Sequence, residues 1–144
     1  MIMSTGEISM IRKVLIILLA ILVVFLIYQV WHSIQVYRLP ISESEKELIE
    51  QKALDVIIAL HSANKEILID TSSSKKIQNI LLQRMEKFKN AKLKNIEVIG
   101  FSSKSKNLCR VTILFSNNMY SYLEYIMKFR KIDNKWLITD LMIQ

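Results

Sequence analysis

Residues 14–28 read VLIILLAILVVFLIY, and this unbroken apolar run determines how the rest of the chain is organised. Gln29, Val30 and Trp31 extend the run to residue 31 with one polar interruption. An α-helix rises about 1.5 Å per residue, so a helix of this length covers roughly 27 Å, close to the ~30 Å hydrocarbon core of a bilayer. The run therefore predicts a membrane-spanning helix over residues 14–31, with the lipid bilayer as its partner from Val14 to Trp31.

The flanks of the run support a bilayer crossing. Arg12 and Lys13 precede it, while Tyr28, Trp31 and His32 mark its end, where amphipathic rings favour the headgroup layer. A buried helix of a soluble protein is the first alternative, but the run leaves no polar stripe to face water. A cleaved signal peptide is the second, since its pattern is similar. Residues 29–32 offer no small-x-small cleavage site, so we expect an uncleaved signal anchor.

Charge around the helix predicts its orientation. Arg12 and Lys13 are opposed only by Glu7, whereas Arg38 on the far side is followed by acids from Glu43 to Glu50. The positive-inside tendency places residues 1–13 in the cytoplasm as a tail and the C-terminal part outside. We expect a linker at 32–41 and an extracytoplasmic domain at 42–144, in a single-pass protein of a bacterial cell membrane.

Composition limits the domain. There are 144 residues, with only 2 Gly and 1 Pro, which argues against disorder and against a loop-rich all-β fold. The single cysteine, Cys109, cannot form an internal disulfide and reads as a small apolar residue of a strand. His32, His61 and Cys109 do not make a zinc site, and Gly6 and Gly100 cannot build a phosphate-binding loop. We therefore assign no catalytic, cofactor-binding or metal-binding residue, and expect no cofactor and no enzymatic activity.

Two helices are predicted at the start of the domain. Ser42 and Glu45 form a capping box, and apolar residues then recur at helical spacing, which predicts a helix over 43–62. Ser72 to Ser74 precede a second helical pattern that runs to Phe88. Between the two, Glu66 to Thr71 is compatible with a short turn or helix.

From residue 93 the apolar period changes to two, which predicts strands. Turn residues at Ser102–Asn107, Asn117-Asn118 and Asp133-Asn134 separate the alternating runs. The third strand is predicted over Met119 to Lys131 and the last over Lys135 to Ile143. The fold class is therefore α+β, with one N-terminal transmembrane helix followed by two helices packed on a curved four-stranded antiparallel meander.

The order of these elements, ending in Lys131-Ile132-Asp133-Asn134-Lys135-Trp136-Leu137-Ile138-Thr139-Asp140-Leu141, resembles the nuclear transport factor two-like, or cystatin-like cone, superfamily. The resemblance covers residues 43–144 and extends to membrane-anchored members, such as the bitopic inner-core subunits of type IV secretion and conjugation systems. It implies a scaffold whose domains contact one another and neighbouring subunits of an envelope complex.

The same resemblance implies an alternative, a small-ligand pocket of the ketosteroid isomerase type. Such members use a carboxylate inside the cone beside hydrogen-bond donors. The residues that could serve are Asp55, Glu124 and Asp140 as carboxylates, Tyr122 and Tyr125 as donors, and His61 as a base. None occupies a motif that matches residue by residue. We therefore interpret Glu124 and Lys128 as solvated strand positions and His61 as a residue that caps or ends a helix.

Charge is distributed unevenly along the domain. Residues 75–110 carry ten cations against Glu86 and Glu97, whereas residues 43–74 carry three lysines against seven acids. The basic region could bind an anionic surface, although lysine used for solubility explains it as well. Its only aromatic residues are Phe88 and Phe101, so nucleic-acid binding is not expected. The sequence favours a non-catalytic, membrane-anchored interaction or assembly module with protein partners or self-association.

Overall fold

The computed structural model describes residues 2, 4–37 and 40–144, and it divides into two units, residues 1–38 and 39–144. The first unit is one helix, α1, over Thr5–Tyr37. Its start is a capping box, in which Ser4 N donates to Glu7 Oε2 at 2.9 Å and Glu7 N donates to Ser4 Oγ at 3.4 Å. Thr5–Ile34 is long and apolar enough to cross a membrane, by length and composition.

The backbone of α1 extends past the predicted span of 14–31 at both ends. Residues 32–37, which were expected to belong to the linker, continue the helix. The physical reason is that neither Pro nor Gly occurs between Gly6 and Tyr37, so neither residue type interrupts the hydrogen-bond ladder of α1. Arg38 and Leu39, the next residues of that linker, lie outside the described residues. The membrane boundaries within α1 remain a prediction.

Three helices, not the two predicted, begin the second unit: α2 Glu43–Ser62, α3 Lys65–Thr71 and α4 Lys75–Phe88. Each starts at a side-chain cap, because Ser42, Asn64 and Ser74 accept from the backbone N–H three residues on. Helix α2 ends at Ala63, which is left-handed with φ 54°. Residues 66–71, left open between turn and helix, belong to the short helix α3.

The sheet is the predicted antiparallel meander. Its strands β1 Leu93–Ser105, β2 Leu108–Asn117, β3 Leu123–Ile132 and β4 Lys135–Ile143 lie in the order β1-β2-β3-β4. Asp133 and Asn134 both have positive φ, 50° and 63°, as a tight two-residue hairpin turn requires. Register irregularities interrupt β1 at Ile99 and β4 at Thr139, which lies opposite Lys128 and Phe129 of β3, and they bend the sheet.

Two strand boundaries differ from the sequence prediction. Strand β3 starts at Leu123, not Met119, because Asn117 Oδ1 accepts from the N–H groups of Met119 (2.9 Å) and Tyr120 (2.8 Å) and holds them in a turn. Strand β1 continues to Ser105 through the segment expected to be a loop, since Ser102 and Ser103 pair with β2.

The helices cover one face of the sheet, and the core lies between these two layers. Apart from the bulges, alternate residues of each strand point into it, and the largest fully buried side chains include Trp136, Tyr125, Phe115 and Phe129. We call the opposite side the uncovered face. Its side chains include Glu97, Ile99, Ser102, Lys104, Leu108, Arg110, Thr112, Leu114, Glu124, Ile126, Lys128, Arg130, Leu137, Thr139, Asp140 and Met142.

Candidate functional site

An aromatic cluster fills the end of the core where α2 and α4 finish. The Phe88 and Phe115 rings are 5.9 Å apart at their centroids, and Phe115 and Tyr125 are 5.0 Å apart, both edge to face. His61 stacks on Phe88 at 4.9 Å with its plane tilted by only 14°. These contacts bring side chains of α2, α4, β2 and β3 together at this end of the core.

The hydrogen bonds of His61 fix its role. Nδ1 lies 2.8 Å from the Ile57 carbonyl oxygen, which can only accept, so Nδ1 carries the proton. Nε2 lies 3.1 Å from Asn117 Nδ2. The Asn117 amide cannot be turned round, because its oxygen already accepts from two backbone N–H groups. His61 is therefore a neutral acceptor at Nε2 that joins α2 to the end of β2.

The structure brings only two of the considered proton-transfer residues together. Tyr125 and His61 both contact Phe88 and Phe115. The other four point elsewhere: Asp55 accepts from Gln51 Nε2 at 2.9 Å on α2, Glu124 and Asp140 lie on the uncovered face, and Tyr122 is 73% exposed. Among the described residues, no carboxylate accompanies His61 and Tyr125 in the aromatic cluster.

Burial also controls the two titratable groups of the core. It raises the pKa of the Cys109 thiol to about 12, partly offset by a hydrogen bond with the Phe129 backbone. It likewise raises the pKa of Tyr125 to about 12, against a small lowering by the charge of Arg84. A thiol that stays protonated at neutral pH is a poor nucleophile, so Cys109 serves packing, as its place in the strand pattern predicted.

A salt bridge that the sequence does not predict lies near Trp136. Lys131 Nζ is 2.6 Å from Glu45 Oε1 and 5.9 Å from the centroid of the Trp136 ring, which joins β3 to the first turn of α2. Lys52 donates to the Trp136 carbonyl oxygen at 3.4 Å. The indole N–H of Trp136 is buried without a partner among the described residues. Only the register of the β3–β4 hairpin brings these residues together.

The uncovered face carries two shallow grooves at opposite ends. One, of about 310 Å³, is lined by Lys104, Arg110, Lys128 and Thr139. The other, of about 280 Å³, is lined by Asn95, Glu97, Leu114 and Tyr122. The first end is basic and the second acidic, so the sign of the charge on this face changes along the direction of the strands.

The predicted basic region, residues 75–110, does not form one surface. Lys75, Lys76 and Lys87 lie on α4 and are exposed, whereas Lys104 and Arg110 lie on the uncovered face. Within residues 2, 4–37 and 40–144, no three His, Cys, Asp or Glu side chains come close enough to hold a metal ion. The uncovered face is the strongest candidate surface of the domain.

No protein-family model and no curated protein matches the sequence. Among solved structures, a candidate NTF2-like transpeptidase from Campylobacter jejuni matches 67% of this chain and 97% of its own, at 14% identity and TM-score 0.51. A DUF4783 family protein from Bacteroides fragilis covers 61% of this chain and 92% of its own, at 14% identity and TM-score 0.48. One from Bacteroides uniformis covers 62% and 92%, at 17% identity and TM-score 0.48.

The similarity to the Campylobacter protein, together with the helices packed on a curved four-stranded meander, defines the fold class. The second unit has the nuclear transport factor two-like fold, as the order of elements predicted. An identity of 14% establishes the fold and no more. What the domain does must be argued from its own surfaces.

Proposed function

We propose that this chain is a non-catalytic, membrane-anchored interaction module. In this proposal α1 is an uncleaved anchor with its N-terminus in the cytoplasm, and the second unit binds a protein partner outside the membrane through the uncovered face. The supporting observation is the contrast between a core filled by Phe88, Phe115, Tyr125 and Trp136 and a sheet face that none of α2, α3 and α4 covers.

The composition of that face suits protein binding. Apolar side chains occupy its middle, where Ile126 is 9% exposed, Met142 36% and Ile99, in the β1 bulge, 48%. Charged side chains such as Glu97 and Arg110 lie towards the two ends. An apolar centre within a polar rim is the usual anatomy of a protein–protein interface.

Site-specific photo-cross-linking in native membranes tests this proposal. We expect a photoreactive residue at Ile99 to give discrete protein adducts of the full-length chain. The matched control is Ile58, which is 46% exposed but lies on α2. Absence of any adduct from Ile99, or equal adducts from both positions, would contradict binding through the uncovered face.

The anchor is tested separately. We expect the full-length chain to stay in the membrane fraction after alkaline carbonate washing, with its N-terminal residues intact. A mature chain that begins beyond Trp31 would show instead that residues 14–31 are a cleaved signal. Protease accessibility of the second unit in intact cells and in inverted vesicles tests the proposed orientation.

The finer form of the proposal is a subunit of a cell-envelope secretion or conjugation complex, as the resemblance stated from the sequence implies. Purification of the cross-linked product in mild detergent tests it, because a multi-protein envelope assembly should accompany the chain. The transpeptidase activity in the name of the Campylobacter protein is not extended to this chain. Cys109 is buried and protonated, and His61 is engaged with Ile57 and Asn117.

One observation favours the alternative of a small-ligand pocket, namely the unpartnered, buried N–H of Trp136. A polar ligand atom or an ordered water could accept from it. Native mass spectrometry of the chain released gently from detergent distinguishes the two functions. A retained small molecule that is lost in Trp136→Phe would support the pocket, and a bare chain would argue against it.

A further inference from the structure

One end of the second unit is formed by both hairpins of the sheet, and we call it the hairpin end. The β1–β2 turn at residues 105–108 and the β3–β4 turn at residues 132–135 lie there together, and Lys131 N donates to the Asn107 carbonyl oxygen at 2.9 Å. The start of α2 lies there as well, because Glu45 bonds Lys131. The opposite end of the unit carries the β2–β3 loop and the ends of α2 and α4.

The chain enters the second unit at the hairpin end. Ile41, just before α2, is 5% exposed and belongs to the core, which fixes this entry point. Only residues 38–40 separate Ile41 from Tyr37, the last residue of α1. A stretch of this length spans at most about 14 Å. In the proposed function, where α1 crosses a bilayer, this short connection keeps the hairpin end within reach of the membrane surface.

The uncovered face is basic at the hairpin end. Its cations, together with those of the two hairpins, are Lys104, Lys106, Arg110, Lys128, Arg130 and Lys135. The acids in the same segments are Asp133 and Asp140, and Asp140 pairs with Lys128 at 3.6 Å. Within the part of the chain that the structure describes, the other five cations form no salt bridge. Their charge is therefore available to an external anion.

The acids at the start of α2 belong to the other layer of the unit. Glu45 Oε1 is 2.6 Å from Lys131 Nζ, while Glu43 and Glu50 flank Lys46 Nζ at 3.8 and 3.9 Å. These acids lie across the sheet from the cations of the uncovered face. The hairpin end therefore presents its positive charge on one side.

Three of the cations line one groove. Lys104, Arg110 and Lys128 surround a shallow depression of about 310 Å³, which Ser102 and Thr139 also line. Arg110 and Lys128 lie directly opposite each other in the β2–β3 ladder. Like charges in that position weaken a sheet, so the fold gains nothing from this pair. An anion bound between them would be attracted by both side chains.

We infer that the hairpin end of the uncovered face binds the phosphate headgroups of anionic lipids in the bilayer that α1 spans. The inference rests on the anchor of the proposed function and adds a second contact with the same membrane. Guanidinium and ammonium groups bind phosphate oxygens through charge-assisted hydrogen bonds. Each basic residue near an anionic leaflet strengthens binding about fivefold, so several weak contacts are sufficient to orient a tethered unit.

Proximity favours lipid over other polyanions. A nucleic acid or an acidic protein must diffuse to the groove, whereas headgroups are present at high effective concentration beside a tethered unit. Leu108, which also lines the groove, is 39% exposed between the cations. Apolar and basic side chains on one surface suit the boundary between headgroups and acyl chains.

The far end of the uncovered face agrees with this orientation. Glu97 and Glu124 lie there, and anionic headgroups repel them. A unit held by its hairpin end turns these acids away from the membrane. The apolar middle of the face, at Ile99 and Ile126, is then left between the two ends for the proposed protein partner.

Energy transfer from the second unit to the membrane tests the inference on the full-length chain. The chain, in a Cys109→Ala background, carries a donor dye at Asn107→Cys in the hairpin end or at Met119→Cys in the β2–β3 loop. It is reconstituted in phosphatidylcholine vesicles that contain a trace of lipid with an acceptor dye on its headgroup. Replacing about 30% of the phosphatidylcholine by phosphatidylglycerol should raise the ratio of transfer from Asn107 to transfer from Met119 at least about twofold. About 1 M NaCl should abolish the rise, because salt screens exposed charges.

Matched variants assign the effect to the groove. K104Q/R110Q/K128Q should lose the response to phosphatidylglycerol, whereas K104R/K128R, which keeps the charge, should retain it. The control is K87Q/K92Q/K94Q, which removes the same charge from exposed lysines in the last turn of α4 and around the start of β1, near the opposite end. A ratio that is the same in both lipid mixtures, or an equal loss of response in the two glutamine variants, would overturn the inference. Recruitment of a nucleic acid or an acidic protein in place of lipid would give the first of these results.

This inference and the proposed function fail differently. If alkaline washing releases the chain from membranes, the anchor is wrong and the lipid contact falls with it. If the chain stays anchored but its transfer ratio ignores phosphatidylglycerol, only the lipid contact is wrong. Cross-linking from Ile99 tests the protein partner without reference to the lipid composition.

Discussion

The two faces of the sheet are built from alternate residues of the same strands, yet they differ in what holds them. The helix-covered face is apolar and closed, with Val111, Ile113, Met127 and Phe129 fully buried. The uncovered face carries both apolar and charged side chains. The comparison shows that the fold depends chiefly on one set of residues in the strands, while the other set lies outside the helix-covered core.

The largest expected effect separates two residues of β3 on opposite faces. Phe129→Ala should lower the free energy of unfolding by about 3–5 kcal/mol, since Phe129 is fully buried, whereas Ile126→Ala should cost about 2 kcal/mol, because Ile126 is 9% exposed and has no helix packed on it. Denaturant unfolding of the full-length chain in detergent, followed by Trp136 fluorescence in a Trp31→Phe background, measures both. Equal losses would remove the distinction between the faces.

A polar contact sharpens the account of the covered face. Asn117 is 3% exposed and bonds His61 and two backbone N–H groups, so Asn117→Ala should cost about 1–2 kcal/mol. Asn90→Ala, in the exposed turn after α4, is the control and should change stability by less than about 0.5 kcal/mol. The same fluorescence measurement applies, and an equally small effect at both positions would mean that this end of the core relies on aromatic packing alone.

Alkaline pH probes the buried titratable groups of the covered face. The pKa of Cys109 is raised from 9.0 to about 12 and that of Tyr125 from 10.0 to about 12, so the unfolded chain loses these protons first. Stability should therefore be intact below pH 9 and fall as the pH rises towards 12, by on the order of 1 kcal/mol at pH 10. Unfolding of wild type and Cys109→Ala between pH 8 and pH 10 measures the slope, which should be shallower in the variant. A slope that is the same in both chains would contradict the assignment to this thiol.

The smallest effect concerns the charges of the uncovered face. The Lys128 and Asp140 side chains are 41% and 52% exposed, so Lys128→Gln should change the free energy of unfolding by less than about 0.5 kcal/mol. A substantially larger loss of unfolding free energy would show that the charged side chains of the uncovered face stabilise the fold.

Much of the fold could be predicted from local chemistry. Helix α2 has the predicted bounds, because Ser42 caps it and its apolar stripe is regular, and β4 has the predicted bounds, because Asp133 and Asn134 accept positive φ. The errors came from side chains that act at a distance of a few residues. The hydrogen bonds of Asn117 hold the next residues in a turn, so β3 begins later than predicted. Ser102 and Ser103 are typical loop residues, yet they belong to β1 and pair with β2.

The candidate surface could not be predicted from the sequence. The arrangement of side chains on the uncovered face depends on which residues of neighbouring strands lie side by side. That alignment depends on bulges that no local sequence pattern indicates. Without the bulge at Thr139 of β4, for example, Asp140 would not pair with Lys128 on the uncovered face. The sequence did reveal the total charge of residues 75–110. It did not reveal that some of these cations lie on α4 and others on the uncovered face of the sheet.

The bent edge strand has a further consequence for a protein concentrated at a bilayer. Strand β1 is long, ends the sheet and shows three register irregularities, and it carries lysines at 94 and 104. Kinks and positive charge along an edge hinder another chain from adding to its unpaired N–H and C=O groups. Crowded copies are thus hindered from open-ended, fibre-like addition of strands at the β1 edge.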